Sequence, residues 1–378
     1  MALYQCLLLG APTDDQAAAF VTTFDECLAL FGLQRGRDYT VDRGITEDFS
    51  DTTATVAVFF GAEGAEYPEA TRLIRLGVPV VPIVSAAARV SAELPAALCS
   101  INAMFHDVAD IHLRRVVTAA LQCLGLLPAQ RRVFVSYRRE ESADVALQLF
   151  EALSARHFDV FLDTHSVSVA ADFQAALWHR LCDSDVLVML DTPGYFKSRW
   201  TTVEWGRAIS KHISMLQLVW PGHAPERESN LATSKKLADA DFNGTRLTPE
   251  ILADVALELE RVRSVSVALR HSNMVGTLRT AIKDLGGSVE GVGPKRSVIL
   301  KLPSGNPLVA YPVVGVPTSV DVHDCIDLSD SRAAAVIYDH LGISKEWCRH
   351  LDWLASRVGA VKWLRSREAD WQLAEIES

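Results

Sequence analysis

Apolar runs of strand length alternate with amphipathic stretches of helix length through most of this chain. That alternation restricts the fold to parallel sheet with crossover helices. In the first third, "YQCLLLGA", "TATVAVFFG" and "VPVVPIVS" read as strands, and "QAAAFVTTFDECLALFGL", "YPEATRLIRLG" and "LRRVVTAALQCLGL" as the helices between and after them. A short linker, "LPAQ", follows, and the order begins again. Strands "VFVSY", "FDVFLD", "DVLVMLD" and "ISMLQLVWP" now alternate with helices "SADVALQLFEALSAR", "DFQAALWHRLCDS" and "RWTTVEWGRAISKH". The strands are too continuously apolar to have a wet face, so helices must cover both sides of each sheet.

The βαβαβαβ order implies a flavodoxin-like, doubly wound parallel sheet. The two units also resemble each other: strand, polar loop, aromatic shortly before a glutamate, helix, strand. In the first unit the aromatic and the acid are Tyr67 and Glu69. Such likeness fits a distant internal duplication, or the convergence that βα units show by physics alone. Beyond the second unit, "WPGHAPERESNLATSKKLADADFNG" is polar and reads as loop. Thr248 then stands as an N-cap with Pro249 at the first helical position, which predicts a long helix. The last hundred residues alternate again and predict a further α/β segment. Its "GVGPKRS" and "LPSGNP" are turn signals, since no helix start follows either of them as a phosphate cradle requires. The expected domains are 1–127, 131–222 with the long helix extending the second to about 285, and 286–378.

At 378 residues two or three domains are expected in any case. A formal net charge of -10 argues against a general nucleic-acid binder, which needs clustered basic surface. The N-terminal apolar run is too short to span a bilayer and lacks a basic flank and a cleavage site, so a soluble cytoplasmic protein with no membrane partner is expected. The seven cysteines, with no C-x-x-C pair among them, read as free, mostly buried thiols in a reducing compartment. No His/Cys spacing suggests a metal.

In a doubly wound sheet the ligand sits beyond the carboxyl ends of the strands. In the second unit three loops should meet there, displaying Tyr137, Arg138, Arg139, Asp163, Phe173, Tyr195, Trp200 and Glu204. Adjacent arginines after a strand are either a solvated turn or the rim of an anion site. With them, aromatics suit a flat heterocycle, and a carboxylate suits ribose hydroxyls or developing positive charge. Each residue also has a plainer reading: Glu204 as an acid favoured near a helix N-terminus, and the tryptophans as packing residues. The first unit has no counterpart of the Ser-Tyr-Arg-Arg run and offers acids instead, so it reads as a non-catalytic copy serving assembly or sensing. Asp339 and His340, and Asp321, His323 and Asp324, end strands in the last third, where structural roles or a ligand are both open.

"VFVSYRRE", "FDVFLDTHSVSVAADF" and "SDVLVMLDTPGYFKSRWTTVEWGRAI", in this order, resemble the successive motifs of TIR (Toll/interleukin-1 receptor) domains, especially bacterial ones, over about residues 131–221. The resemblance implies a flavodoxin-like fold. It implies either an NAD+ nucleohydrolase, giving nicotinamide and ADP-ribose or a cyclic isomer, or a scaffold acting through TIR–TIR assembly. Glu204, four residues after Trp200, maps onto the catalytic position. Arg138 and Arg139 would face the phosphates or their covering loop, Tyr137 and Phe173 would line the base or nicotinamide pocket, Trp205 is a further candidate, and Asp163 begins the gating loop. That loop here carries Ser168, Val169, Ala170 and Ala171 where the family commonly has Pro-Gly or Gly, which alters its access to positive φ. NAD+ would be substrate, with no cofactor. Self-association, an unidentified activator or partner and a role in bacterial antiphage immunity are also implied. A nucleoside-transferring enzyme of similar fold is a third reading.

Overall fold

The computed structural model describes residues 2–46, 49, 53–64, 67–107, 109–128, 130–162, 173–225, 231–329 and 332–377. The chain divides into two compact units, Met1–Ala129 and Gln130–Ser378.

In the first unit, β1 (Tyr4–Gly10), α1 (Asp14–Leu30), β2 (Tyr39–Arg43), β3 (Ala54–Phe60), α2 (Pro68–Arg75), β4 (Val80–Val84), α3 (Val90–Glu93), β5 (Met104–Phe105) and α4 (Arg114–Cys123) follow in order. The sheet order is β2-β1-β3-β4-β5, all parallel. Helix α1 starts where predicted because Thr13 and Gln16 form a reciprocal capping box, with Thr13 Oγ1 accepting from Gln16 N at 3.1 Å.

The second unit opens with β6 (Arg132–Ser136), α5 (Arg139–Ser154), β7 (Asp159–Leu162), α6 (Phe173–Asp183), β8 (Val186–Asp191), α7 (Arg199–Ser210), β9 (Met215–Val219) and β10 (Thr233–Lys236). Its sheet order is β10-β9-β8-β6-β7, again all parallel. Counted within each unit, both sheets therefore run 2-1-3-4-5, the flavodoxin-like order. Alternate residues of each strand enter opposite cores: Val133 and Val135 pack with α5, while Phe134 packs with Leu177, Leu181 and Ala208 of α6 and α7.

Three strands of these two parallel sheets correct the sequence reading. β2 and β5 were not expected, and β10 falls in a stretch read as loop. β2 and β10 are sheet edges with alternating or partial burial, β10 reading only "TSKK", and β5 is two residues long. Such strands need only one paired side and one dry face, so they lack the continuous apolar run that marks a central strand. The expected "VFVSY" strand also stops one residue early, at Ser136, and α5 begins at Arg139 with a kink at Ser142 (φ -144°, ψ 21°).

A two-stranded ribbon, β11 (Phe242–Asn243) with β12 (Arg246–Leu247), leads into α8 (Pro249–Asp284), which has Thr248 at its N-cap. The last sheet is mixed. β13 (Ser288–Val292), β14 (Val298–Lys301) and β15 (Pro307–Pro312) are antiparallel, and the two turn signals join them. β16 (Ala333–Tyr338) and β17 (Val361–Arg365) continue in parallel through α9 (Ser319–Leu328) and α10 (Lys345–Val358), and α11 (Ala369–Glu377) ends the fold. Helix α8 serves two cores: Val255, Ala256, Leu259 and Val262 pack on the β6–β9 sheet, and Leu278, Ala281 and Ile282 on the last one. No described helix is long and apolar enough to cross a membrane.

Candidate active site

The carboxyl edge of the β6–β9 sheet gathers a buried polar chain. β6 ends on Ser136, the first hydroxyl after three fully buried apolar residues. Tyr195 follows β8 in a short 3-10 turn, and Glu204 lies in the second turn of α7. Ser136 and Tyr195 are fully buried and Glu204 is 4% exposed. Ser136 Oγ lies 2.5 Å from Glu204 Oε2 and 2.6 Å from Tyr195 Oη.

The direction of these bonds follows from proton count. A serine hydroxyl has one proton and an ionised carboxylate only accepts. Ser136 therefore donates to Glu204 and accepts from Tyr195, so two residues fix the rotamer of the acid. Burial, helped by the negative charge of Glu204, pushes the Tyr195 phenol well above its ordinary pKa, so it keeps the proton that the chain requires. Thr201 Oγ1 donates to the Tyr195 carbonyl and, at 3.1 Å, contacts that of Ser198, tying the start of α7 to the turn carrying Tyr195.

The arginine-bearing loop is locked by its own acids. Arg138 pairs with Glu140 at 2.5 Å and with Glu141 at 2.7 Å, and Gly194 N donates to Glu141 at 2.9 Å. Partial burial favours neutral Glu141, yet donated hydrogen bonds and the Arg138 charge hold it below the usual carboxylate range. A Cβ at position 194 would sit 1.7 Å from Arg138 Nη1 and 2.2 Å from Glu141 Oε1, so any larger residue there would push this ion pair aside. Below it, Asp191 is fully buried, accepts from Gln217 Nε2 at 2.7 Å and lies 3.2 Å from His223 Nε2; burial raises its pKa.

The sequence candidates thus separate. Glu204 and Tyr195 come together on Ser136. Arg138 adjoins through Glu141 and Gly194, and Arg139 is the half-buried first residue of α5. Tyr137 packs on the core beside α5. Trp205 turns into the opposite core, edge-on to Phe196 with centroids 5.9 Å apart. Trp200 is 48% exposed, one turn before Glu204. Asp163 lies outside the described residues with the rest of 163–172, and of Phe173 only the backbone is described. Ser136 and Glu141 were not singled out from sequence. A lone hydroxyl closing an apolar strand at the ligand edge is the signal that could have found Ser136.

Elsewhere the noted polar residues have structural partners. Tyr67 packs edge-on against Phe59, Asp321 closes the α9 capping box with Thr318, and Asp339 pairs with Lys211 at 2.7 Å. His340 lies 3.3 Å from Glu368. All seven cysteines are free, but Cys99 and Cys123 are exposed, contrary to the expectation of mostly buried thiols. No group of His, Cys, Asp and Glu among the described residues could hold a metal.

Comparison with known proteins bears on this edge. Residues 133–250 match the TIR domain family model. The 2' cyclic ADP-D-ribose synthase BtTIR of Bacteroides thetaiotaomicron is 22% identical over 107 residues, covering 28% of this chain and 37% of that protein. The chain therefore spans little more than a third of that relative. Among solved structures, the transcription regulator CcpA of Lactococcus lactis is 14% identical, covering 70% of this chain and 92% of its own with a TM-score of 0.18. The tagatose-6-phosphate ketose/aldose isomerase from Escherichia coli is 12% identical, covering 78% and 84% with a TM-score of 0.19. At such scores neither likeness bears on fold or function.

Proposed function

Because the chain is a TIR-domain protein, with the domain over residues 133–250, we propose that it cleaves the nicotinamide glycosidic bond of NAD+ and that Glu204 is the catalytic carboxylate. The observation that carries this reading is the buried Tyr195–Ser136–Glu204 chain at the ligand edge of the sheet. The similarity to a cyclic ADP-D-ribose synthase supports it.

One carboxylate suffices for this chemistry. Nicotinamide leaves as a neutral molecule from a cationic ring, so no acid has to protonate it. The transition state is an oxocarbenium ion, as in glycoside hydrolysis. A carboxylate fixed against the ribose stabilises that charge, and fixing it beforehand by Ser136 removes reorganisation from the reaction step. Water captures the cation to give ADP-ribose, or an adenine nitrogen captures it to give a cyclic isomer. Arg138, Arg139, Tyr137 and Trp200, with Asp163 and Phe173 from the adjoining loop of the sequence, complete the proposed NAD+ surface, while Trp205 packs in the core behind it. Self-association through TIR domains, an activating partner and a role in antiphage defence belong to the same proposal, as does its cytoplasmic setting.

The shelter of Glu204 implies that its cover is displaced on activation. The same shelter, with Trp200 and Val203 exposed on α7, favours a second reading in which the domain only assembles. Nicotinamide release from NAD+ by the full chain and by Glu204→Gln, at high protein concentration with a crowding agent, separates the two. Release by the first and none by the second is expected. Absence of release from both, with no shift of melting by NAD+, would overturn the enzyme reading.

A further inference from the structure

Within the second unit a cavity of about 230 Å³ lies at the carboxyl edge of the last sheet, beyond the ends of β15, β16 and β17. Its other walls are α8, through Arg270, Asn273 and Thr277, and the turn that ends α7, through Lys211. It is separate from the Glu204 site: Lys211 lies seven residues further along α7, about 10 Å down its axis.

The charges around it do not balance. Lys211 is buried, pairs with Asp339 at 2.7 Å and donates to the carbonyls of Asp339 and Leu341 at 3.2 and 2.8 Å. Its three protons are thereby engaged, and the pair is neutral. Arg367 adds a second cation, its Nε 3.6 Å from the same Asp339 carboxylate. Arg270 adds a third. It is only 7% exposed and donates to two carbonyls, Nη1 to that of Ser184 at 2.8 Å and Nη2 to that of Cys182 at 3.0 Å. The nearest other acids already hold arginines of their own, Asp183 with Arg132 at 2.7 Å and Asp185 with Arg263 at 2.6 Å. Three cations therefore face this cavity against one carboxylate.

Burying a guanidinium that donates only to carbonyls is costly, and burial works against the charge of Arg270 more than the shared carboxylates Asp185 and Asp339 favour it. A guanidinium fork with unused N–H groups reads phosphate oxygens in pairs. A phosphomonoester carries about −1.5 to −2 at neutral pH, matching the surplus. The volume falls below the roughly 300–1,000 Å³ of drug-sized pockets, so a sugar phosphate fits and a dinucleotide does not. Loops after parallel strands are where open α/β sheets take their ligands. We propose that this cavity is an effector site for a small phosphomonoester, bound by Arg270 and Arg367 and sensed through α7, whose second turn carries Glu204.

The test is calorimetry on the full chain with ribose 5-phosphate and with inorganic phosphate, repeated on Arg367→Glu and on Thr277→Trp. Both positions are exposed, so both variants should melt near the parent. Ribose 5-phosphate should bind the parent and bind each variant at least ten-fold more weakly. Equal affinity for inorganic phosphate would identify free phosphate as the occupant of the same site. Binding of neither probe to the parent, or undiminished binding to both variants, overturns the site. The effector role rests on the proposed NAD+ cleavage. Nicotinamide release that changes with ribose 5-phosphate in the parent but not in Arg367→Glu supports it, and unchanged release despite binding refutes it. A parent that releases no nicotinamide under any condition counts against NAD+ cleavage and the effector role together, while calorimetry still decides the site.

Discussion

Replacing Ser136 by alanine removes one oxygen that two other groups use. Glu204 loses a donor at 2.5 Å and Tyr195 loses its acceptor at 2.6 Å, in a place where Ser136 and Tyr195 are fully buried and water cannot substitute. A hydrogen bond to a charged group is worth about 1.5–3 kcal/mol, and an orphaned buried hydroxyl costs about 1–3 kcal/mol. The two effects share one atom and do not simply add, so Ser136→Ala should cost about 3 kcal/mol, roughly 6–12 °C in melting temperature for a unit of this size. Tyr195→Phe leaves the Ser136–Glu204 bond in place and should cost only about 1 kcal/mol. The double variant should be more stable than the sum of the two losses predicts, because it removes the phenol that Ser136→Ala strands. On the NAD+ cleavage reading, turnover separates the two further. Loss of the Ser136 donor to Glu204 should lower nicotinamide release about ten- to hundred-fold, equivalent to about 1.4–2.7 kcal/mol, whereas Tyr195→Phe should stay within a few fold. Urea unfolding and nicotinamide release on the four proteins measure both quantities. Equal stability and equal turnover for the two single variants would refute the idea that Ser136 holds the acid.

Two further outcomes follow from buried charge. Arg263 is fully buried and donates to Asp185 at 2.6 Å and to the Gln130 carbonyl at 3.1 Å. Arg263→Met should destabilise the second unit by about 3–5 kcal/mol, with Asp185→Asn added to it recovering part of the loss; urea midpoints check this, and a loss under about 1 kcal/mol would contradict it. Burial, aided by the Arg296 charge, pulls the pKa of His271 from 6.5 to about 3. The unfolded chain thus takes up a proton near pH 6.5 that the folded chain refuses, so stability is full above that pH and falls as pH drops, by about 2 kcal/mol between pH 6.5 and 5. His271→Leu should flatten that dependence in denaturant titrations at the two pH values, and an unchanged slope would show that another group causes it.

The central strands were legible because both of their faces are dry. Val133 and Phe134 enter different cores and both must be apolar, so the run announces itself. Edge strands such as Thr233–Lys236 obey no such demand, and their polar sequence looks like loop. At the candidate site, strand-end position and the Trp200–Glu204 spacing brought the loops of the second unit to one edge on paper. The orientation of their side chains was not available in that way. That Trp205 turns into a core, or that Arg138 is held by Glu140 and Glu141, depends on neighbours in three dimensions. The Ser136–Glu204 contact joins residues 68 positions apart. The cationic cavity is less legible still, since its walls come from α7, α8 and three separate strand ends.

Helix α8, with 36 residues, is about 54 Å long. Since its two halves close different cores, neither sheet can be lent to another protein with its own share of the helix and nothing more. A truncation at residue 222 would strip Val255, Leu259 and Val262 from the face of the β6–β9 sheet. A fragment starting at 286 would bare the side of the last sheet that Leu278 and Ile282 cover. A fragment that keeps the β6–β9 sheet covered would have to carry the first half of this helix, and one that carries the helix whole would bare the apolar stripe of Leu278, Ala281 and Ile282. In this chain, the inheritable module is the pair of sheets and the beam they share.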